Sequence, residues 1–134
     1  IVGIVSGALR EEIEHAPRVM GVRELVAFII PAEDTSRCKP DPEGYVMGVR
    51  ALEALSNGAA ERKTVVIEDS IAGIEAAKAA GLRCVAVAHS YPASELHAAG
   101  ANIVVLDLVE LTDELLDDDR DATRGPSSGG PSQR

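Results

Sequence analysis

The chain has 134 residues, a formal net charge of −9 at pH 7 and a hydrophobic fraction of 46%. This length fits one domain, and the acidic balance disfavours a nucleic-acid partner, because such proteins carry a basic stripe. The sequence contains no apolar run of the roughly 18 residues that a membrane-spanning helix needs, so we expect no membrane partner. Cys38 and Cys84 form no Cys-x-x-Cys pair, which favours reduced thiols and a cytoplasmic location.

Strand and helix patterns alternate along the first half of the chain. The predicted elements are, in order, a strand over 1–5, a helix over 8–20, a strand over 25–30, a polar loop over 32–41 and a helix over 45–55. The strands are short apolar runs, whereas the helices repeat apolar residues near a period of 3.6. Gly21 is suited to end the first helix, and Pro42 is tolerated in the first turn of the second.

The same alternation continues through the second half. The predicted elements are a strand over 64–67, a helix over 71–80, a strand over 83–88, a helix over 94–99, a strand over 101–106 and a helix over 109–116. Beyond this point, 117–134 is rich in Asp, Gly, Ser, Pro and Arg. Such a composition cannot bury apolar surface, so we predict one domain over 1–116 and a disordered polar tail over 117–134.

Regular alternation of strands and helices predicts an α/β fold. Its sheet should be mostly parallel, with right-handed crossovers and helices on both faces, which makes three layers. In such a sheet the carboxyl ends of the strands lie at one edge, and ligands bind there.

Polar residues follow three of the predicted strands. Ser6 comes after the first strand, Lys39 lies in the loop after the second, and Glu68 and Asp69 come directly after the third. Together they suit a phosphate group with Mg²⁺. The Ser6 hydroxyl, the backbone N–H groups of Gly7 and Ala8 at a helix start, and the Lys39 ammonium would bind phosphate oxygens. Asp69 and Glu68 offer the hard oxygen ligands that Mg²⁺ prefers.

Each of these residues also has a purely structural interpretation. Ser6 could be a helix N-cap, Lys39 a solvated loop lysine, and Glu68 and Asp69 acids that favour a helix N-terminus through its dipole. Arg10 could face either the solvent or the site. The three histidines lie near none of these motifs, so we predict that they are surface residues; they are His15, His89 and His97.

The order and spacing of the motifs resemble the haloacid dehalogenase superfamily, and within it the subgroup of sugar-phosphate phosphatases and β-phosphoglucomutase. The segments that carry the resemblance are Val5-Ser6-Gly7, Lys39-Pro40-Asp41-Pro42 with Tyr45, and Val66 to Ser70 continuing through Gly73 to Gly81. The resemblance implies a Rossmann-like core, Mg²⁺ dependence and phosphoryl transfer through an aspartyl-phosphate. It assigns Ser6 and Lys39 to the phosphate, with catalytic roles, and Asp69 with Glu68 to the metal.

One family motif is absent from the sequence. The nucleophile motif, Asp-x-Asp-x-Thr or Val after an N-terminal strand, follows no apolar strand in this chain. We therefore expect the central nucleophile strand to be missing from it, together with the helical cap that comes next in this subgroup. Strands 1–5 and 64–67 would then pair directly, leave a gap, or borrow a strand from another chain through self-association or another partner. The chain alone should bind Mg²⁺ weakly and hydrolyse p-nitrophenyl phosphate negligibly.

The function predicted from this resemblance is a Mg²⁺-dependent phosphatase of small phosphorylated metabolites, in particular sugar phosphates. A β-phosphoglucomutase activity is the alternative within the class. It is disfavoured because Ala8-Leu9-Arg10 stands where that subfamily has Ser-Lys-Asn. A phosphoacceptor receiver domain is disfavoured because its acids precede its Ser or Thr and its Lys. A non-catalytic remnant used for binding is a third possibility.

Overall fold

The computed structural model describes residues 1–57 and 64–117. Its strands are β1 (Val2–Val5), β2 (Val26–Ile30), β3 (Val65–Glu68), β4 (Arg83–Val87) and β5 (Ile103–Val105). The pairs β1–β2, β3–β4 and β4–β5 are all parallel. The α/β class and the parallel arrangement that the alternating pattern predicts are confirmed. Of the predicted tail over 117–134, all but Asp117 lies outside the described residues.

The helices are α1 (Arg10–Val19), α2 (Glu43–Leu55), α3 (Ile71–Ala79), α4 (Ala93–Ala98) and α5 (Asp113–Leu116). The bounds of all five helices differ from the predicted ones, and in the first and the last the difference has a visible local cause. The first begins at Arg10 instead of residue 8, because the Ala8 N–H donates to Ser6 Oγ (3.1 Å) in a turn that precedes the helix. The helix predicted over 109–116 is divided: Asp107 caps a 3₁₀ turn (Leu108–Glu110), and Thr112 then caps α5.

The sheet residues divide between two helical layers. On one face α2, α3 and α4 cover Val66, Cys84 and Ala86, with Ile74 and Leu96 fully buried between them. Alternate residues of β4 and β5 face the other way and pack against the segment that holds α5, while α1 packs on β2. Burial raises the pKa of the Cys84 thiol to about 11. Among the described helices, none has the length and apolarity that would span a membrane.

The strands form two separate sheets, because β1 and β3 do not pair. A groove of about 520 Å³ lies between them, and α2 contributes Tyr45, Gly48, Val49 and Leu52 to its lining. Apolar side chains beside it are exposed, including Val2 (57%) and Ile67 (46%). Direct pairing of the first and third strands is therefore wrong, while a strand borrowed from another chain stays a prediction. Among the described residues, neither β1 nor β3 has a strand partner on the side that faces this groove.

Candidate active site

A cavity of about 750 Å³ opens at the carboxyl edge of the strands. It is lined by residues that follow β1, β3, β4 and β5, together with Lys39 from the loop after β2. Ser6, Gly7, Lys39, Glu68 and Asp69 all contribute to the lining. The fold therefore brings residues that are far apart in sequence to one edge, as expected for parallel strands whose ends coincide.

Ser6 and the residues after it form a turn at the end of β1. The Ser6 N–H donates to Ile30 O (3.0 Å), which extends the pairing of β1 with β2 by one residue. Ser6 is not the N-cap of α1, since Leu9 holds that position and its N–H is bound by Glu12 Oε2. The Ala8 N–H is already bound to Ser6 Oγ. The Ser6 hydroxyl and the Gly7 N–H are therefore better placed as phosphate donors than the Ala8 N–H.

The loop that carries Lys39 is tied to the start of α2. The Glu43 carboxylate accepts hydrogen bonds from the backbone N–H groups of Ser36 and Arg37, at 3.1 and 2.8 Å. The Glu43 N–H in turn donates to Asp41 Oδ1 (2.9 Å), and the Lys39–Pro40 peptide is cis. The hydrogen bonds of Glu43 fold the loop over the first turn of α2, and Lys39 points toward the ends of β1 and β3.

The Lys39 ammonium has three acceptors among the described residues. It donates to Val5 O (3.3 Å), to the Tyr45 hydroxyl (3.0 Å) and to Glu68 Oε1. It also lies 4.7 Å from the centroid of the Tyr45 ring. The interpretation of Lys39 as a solvated loop lysine does not fit this environment, because its side chain is only 22% exposed.

Glu68 accepts five hydrogen bonds within the described residues. Its Oε1 atom binds Lys39 and the Tyr45 hydroxyl (2.7 Å), and its Oε2 atom binds the N–H groups of Asp69 and Ser70 and the Ser70 hydroxyl. Gly73 provides the space for this carboxylate, since a Cβ there would lie 2.0 Å from both Cδ and Oε1 of Glu68. Glu68 is thus a counter-ion of Lys39, and it also binds the backbone just before α3.

The ionisation of this cluster follows from its hydrogen bonds. Burial by itself raises the pKa of Glu68, but the hydrogen bonds from Lys39 and Tyr45 outweigh that effect and hold the pKa below its ordinary value. Burial and the hydrogen bond to Glu68 raise the pKa of the Tyr45 phenol far above its ordinary value. At neutral pH Glu68 is therefore a carboxylate and Tyr45 a protonated phenol.

This arrangement predicts how acid destabilises the fold. Because the pKa of Glu68 is lower in the folded state, its contribution to stability is complete above its unfolded pKa of about 4.3 and is lost as the pH falls through the folded value. We expect the difference in unfolding free energy between the wild type and Glu68→Gln, measured with urea, to shrink as the pH falls below about 4. A difference that stays constant from pH 7 to pH 3 would contradict this assignment.

Asp69 is the less constrained of the two acids. It is exposed, and its Oδ2 atom accepts a hydrogen bond from the Ser90 hydroxyl (3.1 Å). A single carboxylate at a cavity edge suits Mg²⁺, which commonly binds one or two carboxylates and completes its shell with phosphate oxygens and water. The described residues contain no cluster of three or more His, Cys, Asp or Glu side chains that could hold a metal. Asp69 therefore fits as one ligand of a site that needs others.

The structure adds cavity residues that the sequence analysis did not select. His89 is exposed, as predicted for all three histidines, but it lines the cavity, as does Asp107. His89 and Ser90 follow β4, and Asp107 follows β5. The search for polar residues after the first three strands would have found them if it had included the last two strands. Arg10 does not line the cavity, and its guanidinium pairs with Asp34 (2.7 Å).

Comparison with known proteins identifies the class to which this fold and site belong. The family profile of haloacid dehalogenase-like hydrolases matches residues 1–87, so the chain belongs to that family. It is 38% identical over 109 residues to validoxylamine A 7′-phosphate phosphatase of Streptomyces hygroscopicus subsp. limoneus, covering 81% of this chain and 48% of the relative. It is also 42% identical over 84 residues to 2-deoxyglucose-6-phosphate phosphatase 2 of Saccharomyces cerevisiae. That match covers 59% of this chain and 33% of the relative.

Solved structures show the same fold. The crystal structure of β-phosphoglucomutase from Clostridium difficile superposes with a TM-score of 0.67 and 26% identity, covering 84% of this chain and 45% of that one. The chain thus spans about half the length of this enzyme and of the Streptomyces phosphatase. The predicted family and subgroup are confirmed, since the relatives include phosphatases of sugar phosphates and β-phosphoglucomutase.

Proposed function

We propose that this protein acts as a Mg²⁺-dependent phosphatase of small phosphorylated metabolites, in particular sugar phosphates. The observation that carries the proposal is the single cavity in which Ser6, Gly7 and Lys39 face Asp69. A hydroxyl, a backbone N–H and an ammonium are donors for phosphate oxygens, and the exposed carboxylate of Asp69 suits the metal that accompanies phosphate. The names of the two related phosphatases are consistent with this substrate class.

Each residue has a distinct task in this proposal. Ser6 and Gly7 bind two of the phosphate oxygens, and Lys39 neutralises part of their charge. Asp69 would hold Mg²⁺, which when bound neutralises phosphate charge and orients the group for in-line attack. Glu68 fixes Lys39 through its hydrogen bond. Whether Glu68 also ligates the metal, directly or through water, stays a prediction, and its five hydrogen bonds favour the role of counter-ion.

A partner strand completes the site in this proposal. The groove between β1 and β3 offers two unpaired edges above an apolar floor on α2. A parallel apolar strand placed there would pair with both edges, and its carboxyl end would emerge beside Lys39 and Asp69. Such a strand is the proposed source of the carboxylate nucleophile, its first Asp, which bonds to phosphorus as the bond from phosphorus to the sugar oxygen breaks. Its second Asp gives that oxygen a proton, so the sugar leaves as an alcohol. Water then hydrolyses the aspartyl-phosphate to inorganic phosphate and the free carboxylate. A second copy of the chain that lends an edge is the alternative occupant.

The loop after β1 favours hydrolysis over transfer to a second phosphorylated position. Ala8 and Leu9 carry no polar side chain, and Arg10 is held outside the cavity by Asp34. The Arg10 N–H is bound by Glu33 Oε1 (3.0 Å), which places another carboxylate at the start of α1. A second phosphate would therefore meet the carboxylates of Glu33 and Asp34 on this side, where the Arg10 guanidinium is already paired.

The proposal is tested by supplying the strand. The chain is mixed with a peptide that consists of an apolar strand ending in Asp-x-Asp-x-Thr, in the presence of Mg²⁺. We expect phosphate release from 2-deoxyglucose 6-phosphate and p-nitrophenyl phosphate, and negligible release without the peptide. Light scattering during gel filtration distinguishes a one-to-one complex from a dimer of the chain.

Three controls make this outcome specific. A peptide with Asn in place of its first Asp, removal of Mg²⁺, and the Asp69→Asn variant should each abolish the release. Conversion of β-glucose 1-phosphate into the 6-phosphate without phosphate release would instead support the mutase alternative. A peptide that binds the groove but restores no turnover would favour the non-catalytic alternative. The cytoplasmic location stays a prediction from the sequence.

A further inference from the structure

Tyr45 occupies a position between the two charged groups of the site. It projects from the first turn of α2 and is buried, with 8% of its surface exposed. Its hydroxyl donates to Glu68 Oε1 (2.7 Å) and accepts from the Lys39 ammonium (3.0 Å). Its ring lies against the same ammonium, 4.7 Å from the nitrogen to the centroid.

A hydroxyl suits this position because of its neighbours' chemistry. An ammonium can only donate hydrogen bonds and an ionised carboxylate can only accept them, whereas a hydroxyl does both. The Tyr45 hydroxyl can therefore bind Lys39 and Glu68 at once, and the three groups form a closed set of hydrogen bonds. Phenylalanine would keep the ring and its packing but would leave this set open.

The three bonds of the Lys39 ammonium are not equivalent. The bond to Val5 O is the longest, at 3.3 Å, and Val5 immediately precedes Ser6 on the cavity lining. The bonds to Tyr45 and Glu68 hold the ammonium from the side of α2 and β3. A phosphate oxygen that approaches over Ser6 would replace the Val5 bond, while the other two bonds keep the ammonium in place.

We propose that Tyr45 is a positioning residue, whose hydroxyl holds the Lys39 ammonium against Glu68 so that it exchanges its Val5 bond for a phosphate oxygen. This inference rests on the proposed function for the identity of the ligand, but not for the geometry of the ligand-free site. Tyr45 itself touches neither the substrate nor the reacting atoms.

The test compares Tyr45→Phe with Tyr91→Phe in the whole chain. Tyr91 is the other tyrosine and is exposed, so it is the matched control. We expect inorganic phosphate to bind Tyr45→Phe about tenfold more weakly than the wild type, as for loss of one hydrogen bond to a charged group. We also expect the ¹⁵N-ammonium signal of Lys39 to exchange slowly with water in the ligand-free wild type and to broaden in Tyr45→Phe. Tyr91→Phe should match the wild type in both respects.

The two measurements separate this inference from the proposed function. If the wild type binds no phosphate, the proposed function is wrong, yet the Lys39 signal still tests the role of Tyr45. Unchanged phosphate affinity and an unchanged Lys39 signal in Tyr45→Phe would overturn the inference. If that variant does not fold, the wild type still allows the test. The inference requires a Tyr45 hydroxyl proton that is protected from exchange in the ligand-free wild type, and the absence of such a proton would overturn it.

Discussion

The Gly73→Ala variant is expected to lose roughly 2–4 kcal/mol of unfolding free energy in urea titrations. The added Cβ would lie 2.0 Å from Cδ and Oε1 of Glu68, so the carboxylate must leave its place. That movement breaks the bonds to Lys39 and Tyr45 and leaves an ammonium partly buried without its counter-ion. Helix propensity alone would favour alanine by up to about 1 kcal/mol, so the two effects have opposite signs.

Gly48→Ala is the matched control for this substitution. Gly48 lies inside α2, and a Cβ there would meet only carbon atoms, the nearest being Val5 Cγ2 at 3.2 Å. We expect its unfolding free energy to stay within about 1 kcal/mol of the wild type, because a neighbouring methyl group can move slightly. If Gly73→Ala were as stable as Gly48→Ala, the placement of the Glu68 carboxylate would be wrong.

The Lys39→Met variant is expected to have the second large effect. It leaves the Glu68 carboxylate, whose side chain is 8% exposed, without its cation. Breaking a fully buried pair in this way costs about 3–5 kcal/mol, because it leaves an uncompensated charge. This pair is partly exposed, so we expect a loss near the lower end of that range. The double variant Lys39→Met, Glu68→Gln removes both charges, so it should recover most of the lost stability in urea titrations while phosphate binding stays lost.

Arg37→Met provides the comparison for Lys39→Met. Arg37 lies two residues away and pairs with Asp41 at 3.2 Å, but its side chain is 72% exposed. Exposed ion pairs contribute up to about 1 kcal/mol, so this variant should unfold nearly as the wild type does. Should the double variant be as unstable as Lys39→Met alone, the loss would come from packing of the lysine and not from the charge on Glu68.

The sequence was sufficient to predict the alternation of elements and the edge at which the site lies. Short apolar runs between helical periods could be recognised one at a time, and parallel pairing then placed Ser6, Lys39 and Asp69 together. The roles of the two acids could not be separated in this way. Glu68 and Asp69 are adjacent in sequence, and only the positions of Lys39, Tyr45 and Gly73 in space show which carboxylate is engaged.

The helix bounds that differ from prediction have local causes. Periodicity alone predicts that the first helix begins at Ala8, but the hydrogen bond from the Ala8 N–H to Ser6 Oγ holds that residue in a turn. The last predicted helix is divided because Asp107 and Thr112 each begin a new turn with their own side chains. In both places a hydrogen bond from the backbone to a side chain competes with the helix. Whether such a bond forms depends on contacts that the pattern of apolar residues does not show.

We propose that Ser6, Gly7, Lys39 and Asp69 form one site for phosphate and Mg²⁺. The decisive experiment is a titration of the ¹⁵N-labelled chain with inorganic phosphate, with and without Mg²⁺. We expect the largest changes at the amides of Ser6 and Gly7 and at the Lys39 ammonium, and a Mg²⁺-dependent change at Asp69. Changes confined to other surfaces, or no difference between the wild type and a Lys39→Met, Glu68→Gln variant that remains folded, would contradict the claim.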